Sequence, residues 1–472
     1  MIGARSLSLP VYVLGAGFAK AINEEMPLTD ELGATIRARL KDEIDLTELD
    51  SQSFEEWLTL RVTAMPFLER YENAKRLSEA ERVIAEVASV IKEKTERASA
   101  NPLPLWLAQL IALWQAEHAL VITFNYDTLL ERAINDVRPT TPGNSAPNVS
   151  FADAIVHPAP QAPSAAIYAD LSSSRETPFQ VLKPHGSINW HWSSGDPTGS
   201  TLTRTRERST FSGNALYNGD RDSGGASLLD HFLTPPVTSK ASYYSLALAQ
   251  ILWRSASAAI HNATSVSLIG YSMPPADLTT VELLRRLGAE STLNLVDAFP
   301  GSRDVPTSLA ARVSGLGSKE LAIWGGQSCV QNFVNSRITA ASDSLASALM
   351  SDIETEAHKS VLISRASDDG LNSRGYYLAL AIRPDNEIVG IEMSLEKLRD
   401  LRSSALEAAL NTHPRGTWKA ENLINYGRLR ELAAKHRRLI IRHDGRRYIA
   451  IALEHAPLEH THVAHLHLAP ID

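Results

Sequence analysis

Val11-Tyr12-Val13-Leu14-Gly15-Ala16-Gly17-Phe18-Ala19-Lys20 is the segment on which the predicted architecture rests. Its first four residues are apolar, β-branched or aromatic, and they predict a buried parallel strand that runs into a glycine turn and a helix. Gly15 permits the tight turn. Gly17 lacks a Cβ and lets the backbone approach a diphosphate, next to the N–H groups of the helix. The segment therefore predicts the first βαβ unit of a nucleotide-binding sheet, although Lys20 stands where the dinucleotide fingerprint has its third glycine.

Composition narrows the classes of protein that the chain can belong to. It has 472 residues, enough for two or more domains, and a net charge of -8, which argues against a surface that generally binds nucleic acid. The single cysteine, Cys329, excludes an intrachain disulfide and a cysteine zinc cluster. No apolar run approaches the ~20 residues of a membrane span, and the N-terminus does not resemble a secretion signal. We therefore expect a cytoplasmic protein with no membrane association.

Polar or glycine residues follow each of the later predicted strands. The strands with the residues after them are Ala119–Thr123 with Asn125 and Asp127, Phe179–Lys183 with His185, Ser265–Gly270 with Ser272, and Leu293–Val296 with Asp297. Strands that alternate with helices predict an α/β fold, a Rossmann-like doubly wound parallel sheet with helical insertions, whose ligands bind at the carboxyl ends of the strands. Beyond this sheet the pattern predicts three parts: a domain over 1–340, a linker helix over 341–358, and a C-terminal α+β domain over 359–472 for sensing, oligomerisation or partner docking.

Four motifs resemble one known family when they are taken together. They are Gly15-Ala16-Gly17-Phe18-Ala19, Thr123-Phe124-Asn125-Tyr126-Asp127, Lys183-Pro184-His185-Gly186-Ser187 and Ile269-Gly270-Tyr271-Ser272. From about residue 8 to 300 the chain resembles the sirtuin fold, and in particular the sirtuin-like NAD-hydrolase domain of bacterial anti-phage defence proteins. It departs from the sirtuin deacylases in two ways: it lacks their four zinc cysteines, and it has Ala21-Ile22-Asn23-Glu24-Glu25-Met26-Pro27-Leu28 in place of their Gly-Ile-Pro-x-Phe-Arg segment.

The resemblance implies an NAD+ glycohydrolase (NADase) that uses NAD as substrate and needs no metal. Such an enzyme cleaves the bond between nicotinamide and ribose, and NAD depletion then stops the infected cell. His185 would act as a base against the ribose hydroxyls, and Asn125 would hydrogen-bond the ribose and an attacking water. The residues expected to contact NAD are Gly15, Ala16, Gly17, Phe18, Asp127, Gly270, Ser272 and Asp297, with Asp297 accepting from the adenosine ribose.

Four of these residues also have a structural interpretation, and the function has two alternatives. Asn125 and Asp127 could cap the helix that follows them, His185 could be a loop histidine, and Ser272 could cap a turn. An NAD-dependent protein deacylase is one alternative function. A non-catalytic module that senses NAD or ADP-ribose is the other.

Other segments suggest partners and regulation. The histidines His455, His460, His462, His465 and His467 fit a polar terminal strand better than a metal site. The basic stretch 428–447 is either a solvated edge or a contact for nucleic acid or an acidic partner, and nucleic acid could otherwise bind only through a partner protein. Residues 138–166 and 193–226 are candidate lids. We further expect a homo-oligomer that is activated by a partner protein or a phage-derived trigger.

Overall fold

A computed structural model provides the structure of the chain. It describes residues 9–47, 53–137, 179–193, 203–205, 207, 209–213, 230–237, 244, 246–274, 277–351, 360–364, 376–382, 387–394, 424–443, 445–458 and 461–472. The candidate lid 138–166 lies outside these residues, as does most of the candidate lid 193–226.

The described helices and strands alternate through the first part of the chain. The helices are α1 (Ala16–Ile22), α2 (Thr29–Leu40), α3 (Phe54–Val62), α4 (Arg70–Ser99), α5 (Leu105–Ala116), α6 (Leu129–Val137), α7 (Ala247–Asn262), α8 (Leu278–Leu284), α9 (Leu309–Ser314), α10 (Cys329–Ser351) and α11 (Tyr426–His436). The strands are β1 (Val11–Leu14), β2 (Leu120–Thr123), β3 (Gln180–Leu182), β4 (Gly186–Trp192), β5 (Thr203–Arg204), β6 (Asp230–Leu233), β7 (Ser265–Ile269), β8 (Thr292–Val296), β9 (Glu320–Trp324), β10 (Ser360–Ser364), β11 (Tyr376–Ile382), β12 (Ile388–Ser394), β13 (Ile440–His443), β14 (Arg446–Leu458) and β15 (Thr461–Pro470). Within the described residues, no helix is both long and apolar enough to cross a membrane.

The central element is a six-stranded sheet with the order β3-β2-β1-β7-β8-β9, and every neighbouring pair is parallel. β1 is buried along its whole length, as a strand covered by helices on both faces must be. The strands β1, β2 and β3 follow one another toward one end of the sheet, and β7, β8 and β9 follow one another toward the other end. This order places the topological switch point between β1 and β7, and it confirms the predicted doubly wound α/β fold.

A helical insertion between β1 and β2 has a small core of its own. In α2, α3 and α4 the buried side chains include Ile36, Phe54, Trp57 and Val83. α3 begins with a capping box in which Ser53 accepts from the Glu56 N–H and the Glu56 carboxylate accepts from the Ser53 N–H. The charges of the long helix α4 stay on its exposed face, because its buried positions are mostly apolar. The same core contains Ile188 and Val237, and Tyr126 packs against it, so the insertion contacts the segments that follow β2 and β3.

A second, antiparallel sheet follows β3 and has the order β5-β4-β6. β4 begins at Gly186, directly after His185, and β6 returns along it. No strand was predicted directly after His185. The structure shows a strand there, which anchors one side of the His185 turn.

The C-terminal part closes into a six-stranded barrel of β10 to β15, with α11 and the end of α10 packed on it. A C-terminal region of strands and helix was expected, but its closure into a barrel was not. α10 begins at Cys329, so the predicted boundary between residues 340 and 341 falls inside one helix. The barrel shares a core with the parallel sheet, because Ile449, Ile451 and Ala469 belong to the same buried cluster as α5.

Polar contacts also join the barrel to the first part of the chain. Gln109 Nε2 of α5 donates to the Pro470 carbonyl oxygen at 2.9 Å. Glu454 of β14 lies between His118 Nε2 at 3.4 Å and His467 Nε2 at 3.2 Å. These hydrogen bonds hold the pKa of Glu454 well below its ordinary value. The barrel is therefore fixed to α5 and to the turn that precedes β2.

Candidate active site

The predicted site residues lie along one edge of the parallel sheet. Each follows the carboxyl end of a strand, and the strands β3, β2, β1, β7 and β8 are consecutive neighbours in the sheet. The residues in that order are His185, then Asn125 and Asp127, then Gly15 to Phe18, then Gly270 and Ser272, and then Asp297. Residues from 15 to 297 are thus brought to one edge, with the switch point near its middle.

Two glycine turns touch each other at the switch point. The Gly17 N–H donates to the Gly270 carbonyl oxygen at 2.9 Å, and the Gly15 N–H donates to the Ile269 carbonyl oxygen at 3.1 Å. A Cβ on Gly15 would lie 2.5 Å from the Gly270 oxygen, and one on Gly17 would lie 2.8 Å from the Gly270 Cα. The prediction that Gly17 lacks a Cβ so that a diphosphate can approach is therefore corrected. Its missing Cβ serves the contact with Gly270, and its N–H is bonded to protein.

Phe18 faces the interior rather than the edge. Its side chain is buried, and its ring packs edge-on against Trp106 with centroids 5.6 Å apart. Its N–H donates to the Gly15 carbonyl oxygen at 2.9 Å. Phe18 thus anchors α1 to the core, and its contact with NAD stays a prediction. Ala16 is the first residue of α1.

Asn125 is tied directly to the glycine turn. Its side-chain Nδ2 donates to the Gly15 carbonyl oxygen at 2.9 Å, and its backbone N–H donates to Thr123 Oγ1 at 3.2 Å. The side chain is partly buried. Because Nδ2 is directed at Gly15, the orientation of the amide is set, and its acceptor Oδ1 is available for a ligand hydroxyl or water.

His185 lies in the turn between β3 and β4 and is 6% exposed. Its ring centroid lies 4.8 Å from that of Phe124 and 5.9 Å from that of Trp253. Its carbonyl oxygen accepts from the Thr234 N–H at 2.8 Å, just after β6. Since Phe124 directly precedes Asn125, the contact between the Phe124 and His185 rings brings the loop after β2 against the loop after β3.

Asp127 has the capping role that the sequence left open. It is buried, and its Oδ1 accepts from the Leu129 N–H at the start of α6, at 3.0 Å. Burial raises the pKa of Asp127, while the nearby Lys183 ammonium acts to lower it. The carboxyl group therefore stabilises the start of α6 at this edge of the sheet. Contact between Asp127 and NAD remains a prediction.

We expect Asp127→Ala to lower the free energy of unfolding by about 1 kcal/mol, because the Leu129 N–H loses its acceptor. Asp127→Asn keeps an acceptor and should cost less. The native state, in which the pKa is raised, holds its proton to higher pH than the unfolded chain, in which aspartate titrates near 3.8. The stability of the wild type relative to Asp127→Asn should therefore fall as the pH rises from about 4 through the raised pKa. Urea denaturation across this range measures the difference, and a difference independent of pH would contradict the assignment.

The far flank of the edge carries Ser272 and Asp297. Ser272 is exposed, and its carbonyl oxygen accepts from Arg312 Nη2 at 3.0 Å. Asp297 Oδ1 accepts from the Phe299 N–H at 2.8 Å, and burial raises the pKa of its carboxyl group. The Phe299 ring beside it is 78% exposed. This flank is more open than the side that carries His185.

Sequence reasoning assigned no role to the groups beneath the edge. Lys183 lies in the motif Lys183-Pro184-His185-Gly186-Ser187, but no function was predicted for it or for Glu131. Both are buried, and Lys183 Nζ lies 2.8 Å from Glu131 Oε1. The available signal was a lysine directly after the buried pair Val181 and Leu182, because lysine is seldom fully buried without a partner.

The sequence also pointed to two clusters outside this edge, the C-terminal histidines and the basic stretch 428–447. Among the described residues there is no group of three or more His, Cys, Asp or Glu that could hold a metal ion. His467 is bonded to Glu454, His460 lies outside the described residues, and so do the side chains of His455, His462 and His465. In the basic stretch 428–447 several arginines form ion pairs, namely Arg428 with Glu431, Arg438 with Asp343, Arg442 with Glu387 and Arg447 with Asp472. Much of its positive charge is thus compensated within the chain.

Comparisons with known proteins return solved structures of Sir2 sirtuins. No protein-family model matches the chain, and no curated protein matches it. The chain is similar to Sir2Tm bound to a propionylated peptide, with 12% identity and a TM-score of 0.32 over 70% of this chain and 92% of that chain. It is similar to a mutant Sir2 homologue in complex with ADP-ribose, with 14% identity and a TM-score of 0.31 over 70% and 93%. It is also similar to a Sir2 structure with a p53 peptide and NAD+, with 11% identity and a TM-score of 0.30 over 70% and 92%. The fold class itself rests on the strand order of the chain.

Proposed function

We propose that the chain is an NAD glycohydrolase, which cleaves NAD into nicotinamide and ADP-ribose. The observation that carries the proposal is the arrangement at the switch point. There the turns after β1 and β7 are in contact, the Asn125 amide is bonded to Gly15, and His185 lies on the adjoining loop. Doubly wound sheets bind dinucleotides at this place. The four motifs that resemble the sirtuin family supply the residues found there.

The chemistry of the bond suits these side chains. Nicotinamide leaves as a neutral molecule from a cationic pyridinium, so that no general acid is needed, and positive charge develops on the ribose. His185 can accept a proton from a ribose hydroxyl or from the attacking water, because imidazole is a base near neutral pH. The amide of Asn125, with Nδ2 held by Gly15, would present Oδ1 to the water or to the ribose. Together they would place the nucleophile and accept its proton.

The rest of the NAD molecule would extend across the switch point toward β8. Gly270 and Ser272 would lie beside the diphosphate. The Asp297 carboxylate would accept from the hydroxyls of the adenosine ribose. No residue of this proposal requires a metal ion.

The experiment is incubation of the purified chain with NAD, with nicotinamide and ADP-ribose measured by chromatography. We expect release of nicotinamide without any acylated peptide. The release should be lost in both His185→Ala and Asn125→Ala but retained in His261→Ala, which removes an exposed histidine of α7. Acyl-ADP-ribose formed only with an acylated peptide would favour the deacylase. Tight NAD binding without turnover would favour the sensing module. Turnover unaffected by both site variants would overturn the assignment of these residues.

We further propose that a cytoplasmic, homo-oligomeric form of this enzyme serves anti-phage defence through NAD depletion, as the motif resemblance implies. The C-terminal barrel would mediate oligomerisation or receive an activating partner or phage-derived trigger. In cells that carry the wild-type chain, we expect NAD to fall after phage infection, whereas it should persist with His185→Ala. Equal NAD levels in the two strains after infection by a range of phages would contradict this role.

A further inference from the structure

The ammonium group of Lys183 is saturated by protein atoms. It donates to the Asp127 carbonyl oxygen at 2.7 Å, to Glu131 Oε1 at 2.8 Å and to Ser187 Oγ at 2.7 Å. Lys183 is 1% exposed and Glu131 is 2% exposed. An ammonium has three N–H donors, so no donor remains for a substrate. Lys183 therefore cannot act on NAD directly.

Two of these acceptors lie close in sequence to the proposed catalytic side chains, one after β2 and one in β4, while Glu131 belongs to α6. Asp127 lies two residues after Asn125, and Ser187 lies two residues after His185. Two further bonds join the same two segments. Ser187 Oγ donates to the Tyr126 carbonyl oxygen at 3.2 Å, and the Ile188 N–H donates to the same oxygen at 2.9 Å. Lys183 is thus the centre of a cross-link between the end of β2 and the start of β4.

Stability gives no sufficient reason for a buried charge at this place. The desolvation of an ion pair offsets much of its attraction, and apolar pairs of similar volume often replace buried pairs at no cost. A buried ammonium with three directed bonds does supply geometric precision, which an apolar pair does not. Misplacement of catalytic groups by ~1 Å can cost about 100-fold in rate.

We propose that Lys183, neutralised by Glu131, is a positioning residue that sets the distance between the Asn125 amide and the His185 imidazole. The inference rests on the proposed function for its kinetic consequence. Its structural consequence, the fixed environment of His185, does not depend on that function.

The test replaces the pair together, as Lys183→Met with Glu131→Leu, because Lys183→Met alone would leave a buried carboxylate without its partner. We expect a melting temperature within about 4 °C of the wild type. We expect kcat for NAD to fall about 100-fold, with KM changed less than about threefold. The matched control is the exposed pair Lys319 and Glu290, which lie 3.1 Å apart, replaced as Lys319→Met with Glu290→Leu. The control should keep the wild-type kcat.

Two further measurements keep the proposal falsifiable. Ser187→Ala removes one of the three bonds, and we expect a smaller fall in kcat with an intact fold; this variant decides the question if the pair variant does not fold. NMR shifts of the His185 imidazole should change in the site variants and stay unchanged in the control pair. This reading is independent of turnover, so it tests Lys183 even if the wild type does not hydrolyse NAD. Folded site variants with wild-type His185 shifts, or with wild-type kcat, would overturn the proposal.

Discussion

Gly270→Ala is expected to lower the free energy of unfolding by about 3 kcal/mol and to abolish NAD binding. Gly270 has φ +60°, and a Cβ there would lie 2.2 Å from the Phe18 nitrogen and 2.4 Å from the Gly17 carbonyl carbon. Both atoms are backbone, so relief requires the β1 and β7 turns to separate. Separation would break the bond from the Gly17 N–H to the Gly270 oxygen and open the place where the diphosphate is proposed to lie.

Gly317→Ala is the matched control for this effect. Gly317 also has a positive φ, +79°, but no heavy atom lies within 4 Å of its Cβ position. Its substitution carries backbone strain without a clash and should cost about 1 kcal/mol, with NAD binding unchanged. Urea denaturation and calorimetric titration with NAD measure both quantities. Equal losses of unfolding free energy and of NAD binding in the two variants would mean that the contact between the turns contributes to neither quantity.

Asn125→Asp is expected to lower NAD turnover about 100-fold while the protein stays folded. The substitution keeps the shape of the side chain but replaces the donor Nδ2 by a carboxylate oxygen. That oxygen would face the Gly15 carbonyl oxygen, which now lies 2.9 Å from Nδ2. Two acceptors repel, so the side chain turns away and no longer presents an oxygen in the position needed for water or ribose.

Asn294→Asp serves as its control. Asn294 is a partly buried asparagine of β8 in the same sheet, and its Nδ2 lies 3.2 Å from Ser267 Oγ. A serine hydroxyl can donate as well as accept, so this bond survives with its direction reversed. We expect wild-type turnover in the control, measured as nicotinamide release. Wild-type turnover in Asn125→Asp would show that the hydrogen bond from Asn125 to Gly15 has no role in the mechanism.

Local patterns in the sequence were enough for the doubly wound sheet. Buried parallel strands are short apolar runs such as Val11–Leu14, and the residues after them lie at the carboxyl edge in any such sheet. Asn125, His185 and Asp297 could therefore be placed at one edge without coordinates. The order of the strands, in which β1 lies beside β7, could be read only from the path of the chain in the structure. The segments between the strands are long, so the sequence did not predict which strands are neighbours.

The closure of the barrel was not predictable in the same way. β10 pairs with β15 in parallel, although about a hundred residues separate them along the chain. Period-two alternation predicts a strand but carries no information about its neighbour. The same limit applies to the predicted boundary at residue 340, which falls inside α10. A helix that packs on both the sheet and the barrel has no break in its pattern to mark where one ends and the other begins.

The sequence by itself determined that an apolar strand enters a glycine turn and that an asparagine and a histidine follow later strands, because these features depend on residues adjacent in the chain. Only the tertiary structure decided that the glycines at 15 and 17 face Gly270, that Asp127 caps α6, and that Lys183 joins the loops of Asn125 and His185. The Lys183 amine and the Glu131 carboxylate stand 52 residues apart in sequence. Contacts at such separations are set by the path of the backbone and by burial, which local residue patterns do not encode.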